Sequence, residues 1–426
     1  MWGFFLPVML YRFVKILMRA ALGLFYKEIL RHRLEHIPAN GPALLIANHP
    51  SSLMDAALLG ISLKRPIHFF ARGDIFSNSL VAKILLALHM YPVHHHNGGR
   101  ETLGLNDAAF DKAIDLLLKG ELVLFFPEGT SHTEYRLWKF RKGAFRIALR
   151  TVQQKPTIEL PIVPIGLNYS HPTKIFSTVW MQTGTPIITN TYLPLYNSQP
   201  SAALKQLTEK GFLAVQQLVT DADLASAKSL HQLLDTWRNS LHFMPGKYPD
   251  PIVHELEISK AFGANTPEQM ANINAYQEAL ENAKTCDAAV TAANATKLST
   301  TPLVIGFPAA CIGWALNGIP ILLARYIADR KVKRIDFYSW VLVTSAALLF
   351  VAWFTAFAIL SFILLPAWKA TALLFIAVST GQYSWNYFAY YREWKTQQQG
   401  LQLPASNLTA LTLAQKKVLD IIVSPA

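Results

Sequence analysis

Between residues 40 and 190, short apolar runs alternate with stretches of helical spacing at 79–90, 106–119 and 142–154. Alternating strands and helices predict an α/β domain over residues 31–197, with a mixed, largely parallel sheet flanked by helices. Runs such as LVLFF have no polar alternation, as expected for a strand covered on both faces. The candidate strands are ALLIA (43–47), IHFFA (67–71), LVLFF (122–126), PIVPIGL (161–167) and TVWMQTG (178–184).

The pattern changes at residue 198, where strand signals fade. Residues 198–300 carry the spacing of amphipathic helices, and we interpret them as a helical cover or linker. After them, residues 301–395 have the composition of a membrane portion. Residues 396–426 are predicted to be a cytoplasmic tail.

Lys369 is the only charged residue between Phe337 and Tyr390. Each half of that stretch exceeds the ~20 residues needed to cross a bilayer, which predicts a hairpin of two spans, 338–364 and 367–390. The earlier run, 302–324, is also apolar but contains Pro and Gly, so we predict a kinked span or a re-entrant segment. Five cations in the loop 325–334 place that loop in the cytoplasm by the positive-inside rule.

The N-terminal segment, residues 1–30, combines apolar residues with Arg12, Lys15 and Arg19 on one helical face. This pattern favours an interfacial, membrane-anchoring helix with its cations at the lipid headgroups. The alternative is a buried core helix whose basic face is solvated.

Composition supports membrane association. Hydrophobic residues make up 52% of the 426 residues and charged residues 15%, and mean hydropathy is +0.24. These values exclude intrinsic disorder and disfavour a wholly soluble chain. The formal charge of +12 suits anionic partners such as membrane surfaces, phosphorylated substrates or nucleic acid. Cys286 and Cys311 form neither a disulfide framework nor a metal site, and are compatible with a reducing compartment.

The first candidate site follows the strand 43–47. His49 lies in the turn that leaves this strand, and Asp55 follows six positions later. A carboxylate there could orient the imidazole and leave its second nitrogen free to accept a hydroxyl proton. The alternative is an ordinary turn in which Ser51 or Ser52 caps the next helix.

The second candidate site follows the strand 122–126. Pro127-Glu128-Gly129 turns sharply and presents a carboxylate, and Thr130 and Ser131 add hydroxyl groups. A Gly-led turn can also direct backbone N–H groups at an anion. The alternative is a solvent-exposed turn. Arg141 and Lys142 open a later helix, so cations and a helix N-terminus could face the same cleft.

Together these blocks resemble the glycerolipid acyltransferase family, whose members acylate glycerol 3-phosphate or 1-acylglycerol 3-phosphate. The resemblance covers residues 35–190 and depends on the order of His49 with Asp55, F-P-E-G-T-S (126–131), K-G-A (142–144) and V-P-I (163–165). It implies that His49 is the general base and that Asp55 orients it. It also implies that Glu128 and Gly129, with their neighbours Thr130 and Ser131, hold the glycerol phosphate. The residues implied on the acyl-chain side are Val163, Pro164 and Ile165.

Two features depart from the family pattern. Five residues separate His49 from Asp55 where four are usual, which resembles a subgroup that includes fungal enzymes accepting glycerol 3-phosphate or dihydroxyacetone phosphate. His95 stands where the second block normally has an arginine, and a neutral imidazole is a poorer phosphate partner than a guanidinium. Either Arg100 or Arg72 supplies the cation, with Lys142, or the phosphate is held less tightly. Histidines 94–96 lack a complementary ligand set, so we predict no metal site.

The resemblance implies direct acyl transfer from acyl-CoA or acyl carrier protein, without a metal or organic cofactor. Because thioester donors are made in the cytoplasm, we expect the catalytic domain on the cytoplasmic side of a membrane, such as a bacterial inner membrane. Membrane phospholipid is a predicted partner and nucleic acid is not. The rival interpretation is a non-catalytic membrane protein that binds phospholipid headgroups in the same pocket. A headgroup binder needs cations, but it has no use for a hydrogen-bonded base such as His49 with Asp55.

Overall fold

The structure of the protein is a computed structural model that describes residues 2–93, 100–222, 226–243, 251–262 and 266–423. The chain divides into two compact units. The first, here called the α/β unit, comprises residues 1–133, 137–219 and 334–340. The second, called the helical unit, comprises residues 134–136, 220–333 and 341–426.

A single eight-stranded sheet runs through the described part of the α/β unit in the order β1-β7-β6-β2-β5-β3-β4, with β8 paired to β6. The pairs β6–β7 and β6–β8 are antiparallel and the other pairs are parallel. The strands are β1 (Glu28–His32), β2 (Ala43–Ala47), β3 (Ile67–Arg72), β4 (Met90–Val93), β5 (Leu122–Phe125), β6 (Pro161–Tyr169), β7 (Thr178–Thr183) and β8 (Ile187–Ile188).

The predicted fold class is confirmed, and each of the five predicted strands is present as β2, β3, β5, β6 or β7. Strands β1, β4 and the two-residue β8 were not predicted. β1 reads EILRH, with charged residues inside it. β4 contains Pro92 and lies at one end of the sheet, where a missing N–H donor is tolerated.

Helices cover both faces of this sheet, and all five residues of β2 are buried. One core cluster joins Leu44 and Ile46 of β2 to Phe145 and Ile147 of the helix Gly143–Gln154. Residue 211, in the helix Pro200–Gln216, is glycine because a Cβ there would lie 2.4 Å from the Phe145 ring. The helices are α1 (Trp2–Phe25), α2 (Leu53–Ser62), α3 (Ser79–Ala87), α4 (Arg100–Leu118), α5 (Gly143–Gln154), α6 (Leu193–Ser198) and α7 (Pro200–Gln216). The unit therefore continues past residue 197, the predicted boundary, to Val219.

The basic face of α1 contacts the C-terminal end of α2. Arg19 Nη2 donates to the carbonyl of Ile61 at 2.9 Å, and Lys15 Nζ donates to the carbonyl of Leu63. These carbonyls lie at the C-terminal end of α2, where cations are favoured by the helix dipole. Lys15 and Arg19 thus contact protein backbone, whereas Met9, Phe13 and Ile16 are exposed. The interfacial role of residues 1–30 stays a prediction.

The helical unit is built from α8 (Ala227–Phe243), α9 (Pro251–Phe262), α10 (Pro267–Asn282), α11 (Asp287–Ala293), α12 (Thr301–Lys331), α13 (Tyr338–Leu364), α14 (Ala367–Leu401) and α15 (Ala405–Val423), with the first three residues of α13 counted in the α/β unit. A second core gathers Trp237, Tyr276 and Val418, all fully buried. The buried carboxylate of Asp287 accepts hydrogen bonds from Tyr276, Asn239 and Gln415. Satisfying this carboxylate stabilises the junction of four helices.

Helix α12 is continuous although Pro308 and Pro320 lie inside it. Pro320 cannot donate to the carbonyl of Leu316, and the indole N–H of Trp353 donates to that oxygen instead at 2.9 Å. A Cβ at Gly313 would lie 2.0 Å from the Thr380 carbonyl oxygen. Glycine there allows α12 and α14 to pack closely.

Among the described helices, Thr301–Lys331 and Ile335–Leu364 are long and apolar enough to cross a membrane. Thirty-one residues of helix measure about 46 Å, more than the ~30 Å of bilayer hydrocarbon. Both helices are consistent with membrane association. The predicted span 367–390 lies within α14, which is outside that pair.

Candidate active site

The carboxyl ends of β2, β5 and β3 meet at one edge of the sheet, because these strands are parallel and adjacent. His49 follows β2, Pro127 to Ser131 follow β5, and Arg72 ends β3. Open α/β sheets bind ligands at this edge. The fold therefore brings together residues that are up to 82 positions apart.

His49 and Asp55 form the pair predicted from the sequence. His49 Nδ1 lies 2.8 Å from Asp55 Oδ2, and the side chain of His49 is 18% exposed whereas that of Asp55 is fully buried. The imidazole stacks on Phe126, with ring centroids 3.9 Å apart and planes 11° from parallel. A carboxylate acceptor favours the Nδ1–H tautomer, so Nε2 is the nitrogen that can take a proton.

Asp55 is held by further donors. The Ser51 N–H donates to Asp55 Oδ2 at 2.8 Å, and the Tyr169 hydroxyl donates to Oδ1. Burial, together with the nearby Asp55 charge, raises the pKa of Tyr169 well above its usual value. The phenol therefore stays protonated and keeps its donor role across the physiological pH range.

The turn between His49 and α2 differs from the helix-cap alternative. Ser52 occupies the N-cap position without a side-chain capping bond, at φ 50° and ψ −133°. A positive φ is strained for a residue with a Cβ, and such strain is commonly found at functional sites. Ser52 and Leu53 both line the adjacent cavity. The N-terminus of α2 therefore lies beside His49 at the cavity.

Glu128 binds backbone rather than the cavity. Its Oε1 accepts the His49 N–H at 2.8 Å and its Oε2 accepts the Trp138 N–H at 3.1 Å. The side chain is buried, and Glu128 is not among the described residues that line the cavity. Its carboxylate thus ties the turn after β5 to the turn after β2. The predicted direct contact with glycerol phosphate stays a prediction, and this placement favours a positioning role instead.

Gly129 has a positive φ of 79°, and a Cβ there would lie 2.6 Å from Arg141 Nε. The glycine therefore lets the Arg141 side chain lie directly against the turn. The N–H of Arg141 also donates to the Pro127 carbonyl at 2.7 Å. Thr130 lies alongside, and its hydroxyl is 2.8 Å from His132 Nε2.

A cavity of about 630 Å³ opens at this edge. Strands β3, β4 and β5 supply an apolar wall, formed by Phe69, Phe70, Met90, Val93 and Phe125. The other side carries cations around the N-terminus of α5, where Lys142 precedes Gly143. A helix N-terminus and clustered cations favour an anion.

Five cationic and two acidic side chains are among the described residues that line the cavity. The cations are Arg72, Arg141, Lys142, Arg146 and Arg334, and the acids are Asp74 and Asp107. Arg72 pairs with Asp74, with Nη2 and Oδ2 2.7 Å apart. Arg72 thus lines the cavity, and the carboxylate of Asp74 partly neutralises its charge.

Other predicted residues are placed elsewhere. His95 lies outside the described residues, as do its neighbours His94 and His96, and only the backbone of Arg100 is described, as the first residue of α4. The acyl-chain assignment of Val163, Pro164 and Ile165 stays a prediction, and the placement of these residues does not favour it. All three are buried in β6, paired with Leu45, Ile46 and Ala47 of β2, and none lines the cavity. A run of apolar residues indicates burial but does not distinguish a sheet interior from a ligand surface.

Arg146 and Arg334 were not predicted as site residues. Arg146 lies four residues after Lys142 in α5, a spacing that puts both on one helical face and that could have indicated it. Arg334 is 203 positions from its contact, the carbonyl of Ser131. Nothing in the local sequence indicates that proximity.

A family model described as Acyltransferase matches residues 28–168. A chloroplast 1-acyl-sn-glycerol-3-phosphate acyltransferase of Brassica napus is 31% identical over 144 residues, which cover 34% of this chain and 38% of the relative. Glycerol-3-phosphate O-acyltransferase 2 of Saccharomyces cerevisiae is 30% identical over 135 residues, covering 30% of this chain and 18% of that protein. A 1-acyl-sn-glycerol-3-phosphate acyltransferase of Bacillus subtilis is 30% identical over 115 residues, covering 27% and 53%. The chain thus spans well under two thirds of each relative.

The part of the α/β unit that matches the Acyltransferase model holds an imidazole beside a buried carboxylate, next to a cavity lined by cations at the carboxyl edge of the sheet. The matched region contains His49, Asp55 and the turn 127–131. Residues 28–168 are thus similar to glycerolipid acyltransferases.

Proposed function

We propose that this protein is a membrane-bound acyltransferase that transfers a fatty acyl group to a hydroxyl of glycerol 3-phosphate or 1-acylglycerol 3-phosphate. The donor is a thioester, either acyl-CoA or acyl carrier protein. The observation that carries the proposal is the His49–Asp55 pair, 2.8 Å apart, at the mouth of a cavity lined by cations.

In the proposed reaction, His49 Nε2 takes the proton from the acceptor hydroxyl as its oxygen attacks the thioester carbonyl. The carbon–oxygen bond forms, the carbon–sulfur bond then breaks, and the imidazolium returns its proton to the leaving thiolate. Asp55 stabilises the imidazolium through Nδ1. This route forms no acyl-enzyme and uses no metal or organic cofactor.

The tetrahedral intermediate carries an oxyanion that needs donors. The first N–H groups of α2 are the candidates, because Ser52 and Leu53 line the cavity next to His49. The dipole of α2 adds favourable potential at the same point.

The cations at the start of α5 are proposed to bind the acceptor phosphate. Arg141, Lys142 and Arg146 line one part of the cavity, and Gly129 allows Arg141 to lie close to the turn. Binding the phosphate fixes the acceptor relative to His49 before reaction.

The acyl chain is proposed to lie along the apolar wall from β3, β4 and β5. This proposal differs from the prediction made from residues 163–165. Phe69, Phe70 and Phe125 supply broad apolar surfaces of the kind that a hydrocarbon chain contacts.

Membrane association is supported by the two long apolar helices and by the outer surface of the α/β unit. Leu80 and Ile84 of α3 are exposed, as are Phe13 and Ile16 of α1. We propose that these side chains contact lipid, so that an acylated product need not leave the bilayer.

We also propose that the α/β unit is cytoplasmic. The α/β unit includes Arg334, the last residue of the basic segment 325–334, which spans the end of α12 and the residues after it. The positive-inside rule assigns this segment to the cytoplasm, which supports the proposal.

The experiment is an assay of the purified protein with glycerol 3-phosphate, dihydroxyacetone phosphate and 1-acylglycerol 3-phosphate. Each acceptor is tested with acyl-CoA and with acyl carrier protein donors. We expect acylation of at least one glycerol phosphate. Binding of anionic headgroups without turnover in any combination would favour the headgroup-binding alternative.

A further inference from the structure

A short segment from the far end of the chain belongs to the α/β unit. Residues 334–340 are counted in that unit, although the rest of it ends at Val219. This segment leads directly into α13, one of the two helices with membrane-spanning composition.

The segment is anchored at the turn after β5. The Ser131 hydroxyl donates to Asp336 Oδ2, and both side chains are buried. Three residues later, the Ser339 hydroxyl donates to the Pro172 carbonyl at 2.6 Å. Two anchors, one on each side of Phe337, fix the segment against the loops at the active edge of the sheet.

These anchors place Arg334 and Phe337 in the lining of the cavity. Arg334 Nε and Nη2 donate to the two Asp336 oxygens at 3.1 and 2.9 Å, and Nη2 is 3.4 Å from the Ser131 carbonyl oxygen. The guanidinium also lies 5.3 Å from the Phe337 ring centroid. Each of these contacts restricts the rotamers of the arginine.

Arg334 retains donors for a ligand. Its side chain is 49% exposed, and Nη1 has no hydrogen-bond partner among the described residues. A guanidinium presents five N–H groups in a planar fork that matches phosphate. The bland interpretation is that Arg334 only neutralises buried Asp336. Exposure to a cavity that other cations line makes a ligand role the better interpretation.

We propose that Arg334 binds the phosphate of the acceptor, with Asp336 and Ser131 as its positioning residues. This inference rests on the proposed function and deepens it. The phosphate site would then be complete only when the segment before α13 is docked. Phosphorylated acceptors would be selected over neutral glycerides by a residue outside the region 28–168 that matches the family.

The test compares Arg334→Ala with wild type, using a phosphorylated acceptor and its unphosphorylated counterpart, 1-acylglycerol. We expect the KM for the phosphorylated acceptor to rise about 10-fold to 100-fold, as for a lost charge-assisted hydrogen bond. The thioester KM and the rate with 1-acylglycerol should change less than about 3-fold, because neither involves the phosphate. Arg334→Lys should recover part of the loss, since it keeps the charge but not the fork.

Arg330→Ala is the matched control. Arg330 lies on the same basic stretch, with its guanidinium 5.7 Å from the Tyr326 ring centroid, and it is not among the described lining residues. This variant should keep wild-type kinetics. Asp336→Asn should raise the acceptor KM less than Arg334→Ala does, because it loosens the cation without removing it.

Equal losses with the phosphorylated and neutral acceptors would overturn the proposal. Arg334→Gln keeps amide donors for Asp336 and carries the test if the alanine variant does not fold. If neither variant folds, Arg334 is required for the fold and the proposal is wrong. Thermal shift by glycerol 3-phosphate tests binding without turnover. If the wild type shows this thermal shift but no transferase activity, and Arg334→Ala abolishes the shift, then Arg334 binds the phosphate but the proposed function is wrong.

Discussion

Replacing Asp55 by Asn tests how the carboxylate supports His49. The amide oxygen can occupy the Oδ2 position, where it accepts from His49 Nδ1 and from the Ser51 N–H. The amide NH2 then occupies the Oδ1 position and donates to Tyr169, whose hydroxyl can accept as well as donate. The hydrogen-bond geometry is preserved, and the main loss is the negative charge.

The magnitude follows from the distance between the charges. Two unit charges 2.8 Å apart interact by about 6 kcal/mol at an effective dielectric constant of ~20. The neutral amide dipole retains part of this energy, so we expect the transition state to lose about 3 to 5 kcal/mol. That loss corresponds to ~10²-fold to ~10⁴-fold in kcat.

The assay is steady-state acyl transfer with both substrates saturating, alongside thermal unfolding of each variant. Because Asp55 acts through His49, adding Asp55→Asn to His49→Ala should lower the residual rate by less than 3-fold. A kcat for Asp55→Asn within a few-fold of wild type would refute this reasoning. A further large loss in the double variant would show that Asp55 acts independently of His49.

Three more outcomes are expected. Lys142→Ala should raise the acceptor KM about 10-fold and leave the thioester KM nearly unchanged. The control Lys139→Ala, at an exposed position, should change neither KM. Equal changes in both KM values for Lys142→Ala would show that Lys142 does not bind the phosphate. Burial, with the nearby charges of His89 and Lys112, lowers the pKa of His68 to about 4. The unfolded chain therefore binds a proton that the folded protein does not, so the free energy of unfolding falls as the pH drops from 6.5 towards 4. At pH 5 the loss is about 1 kcal/mol after allowing for solvent screening. Denaturant unfolding of His68→Gln should therefore depend less on pH between 7 and 5, and slopes equal to wild type would contradict the assignment. In cells expressing a background without Cys286 and Cys311, an impermeant thiol reagent should label Lys369→Cys but not Asp107→Cys, Lys331→Cys or Gln398→Cys; labelling of Lys331→Cys would show that the charge argument for the loop failed.

The sequence was most informative where a local pattern coincides with a structural requirement. Apolar runs without polar alternation predicted the buried strands β2 and β5, and the end of each strand predicted where the site lies. The spacing of His49 and Asp55 predicted their contact, because a turn followed by one helical turn brings the two together. These inferences need only a few neighbouring residues.

The sequence was least informative where the deciding partner is distant in the chain. The orientation of Glu128 is set by the N–H of His49, 79 positions earlier. Pro320 suggested an interruption of α12, but Trp353 satisfies the freed carbonyl. Arg334 reaches the site only through the anchors at Ser131 and Pro172. Local pattern cannot report contacts of this kind.

The most direct test of the central claim is the initial rate of acyl transfer by His49→Ala, measured with glycerol 3-phosphate binding by thermal shift. His242→Ala, a histidine of the helical unit, is the control. The account predicts that His49→Ala loses at least ~10³-fold in rate, as expected for removing a general base, while it binds glycerol 3-phosphate and unfolds at the wild-type temperature. Near-normal turnover by His49→Ala with any acceptor would contradict it.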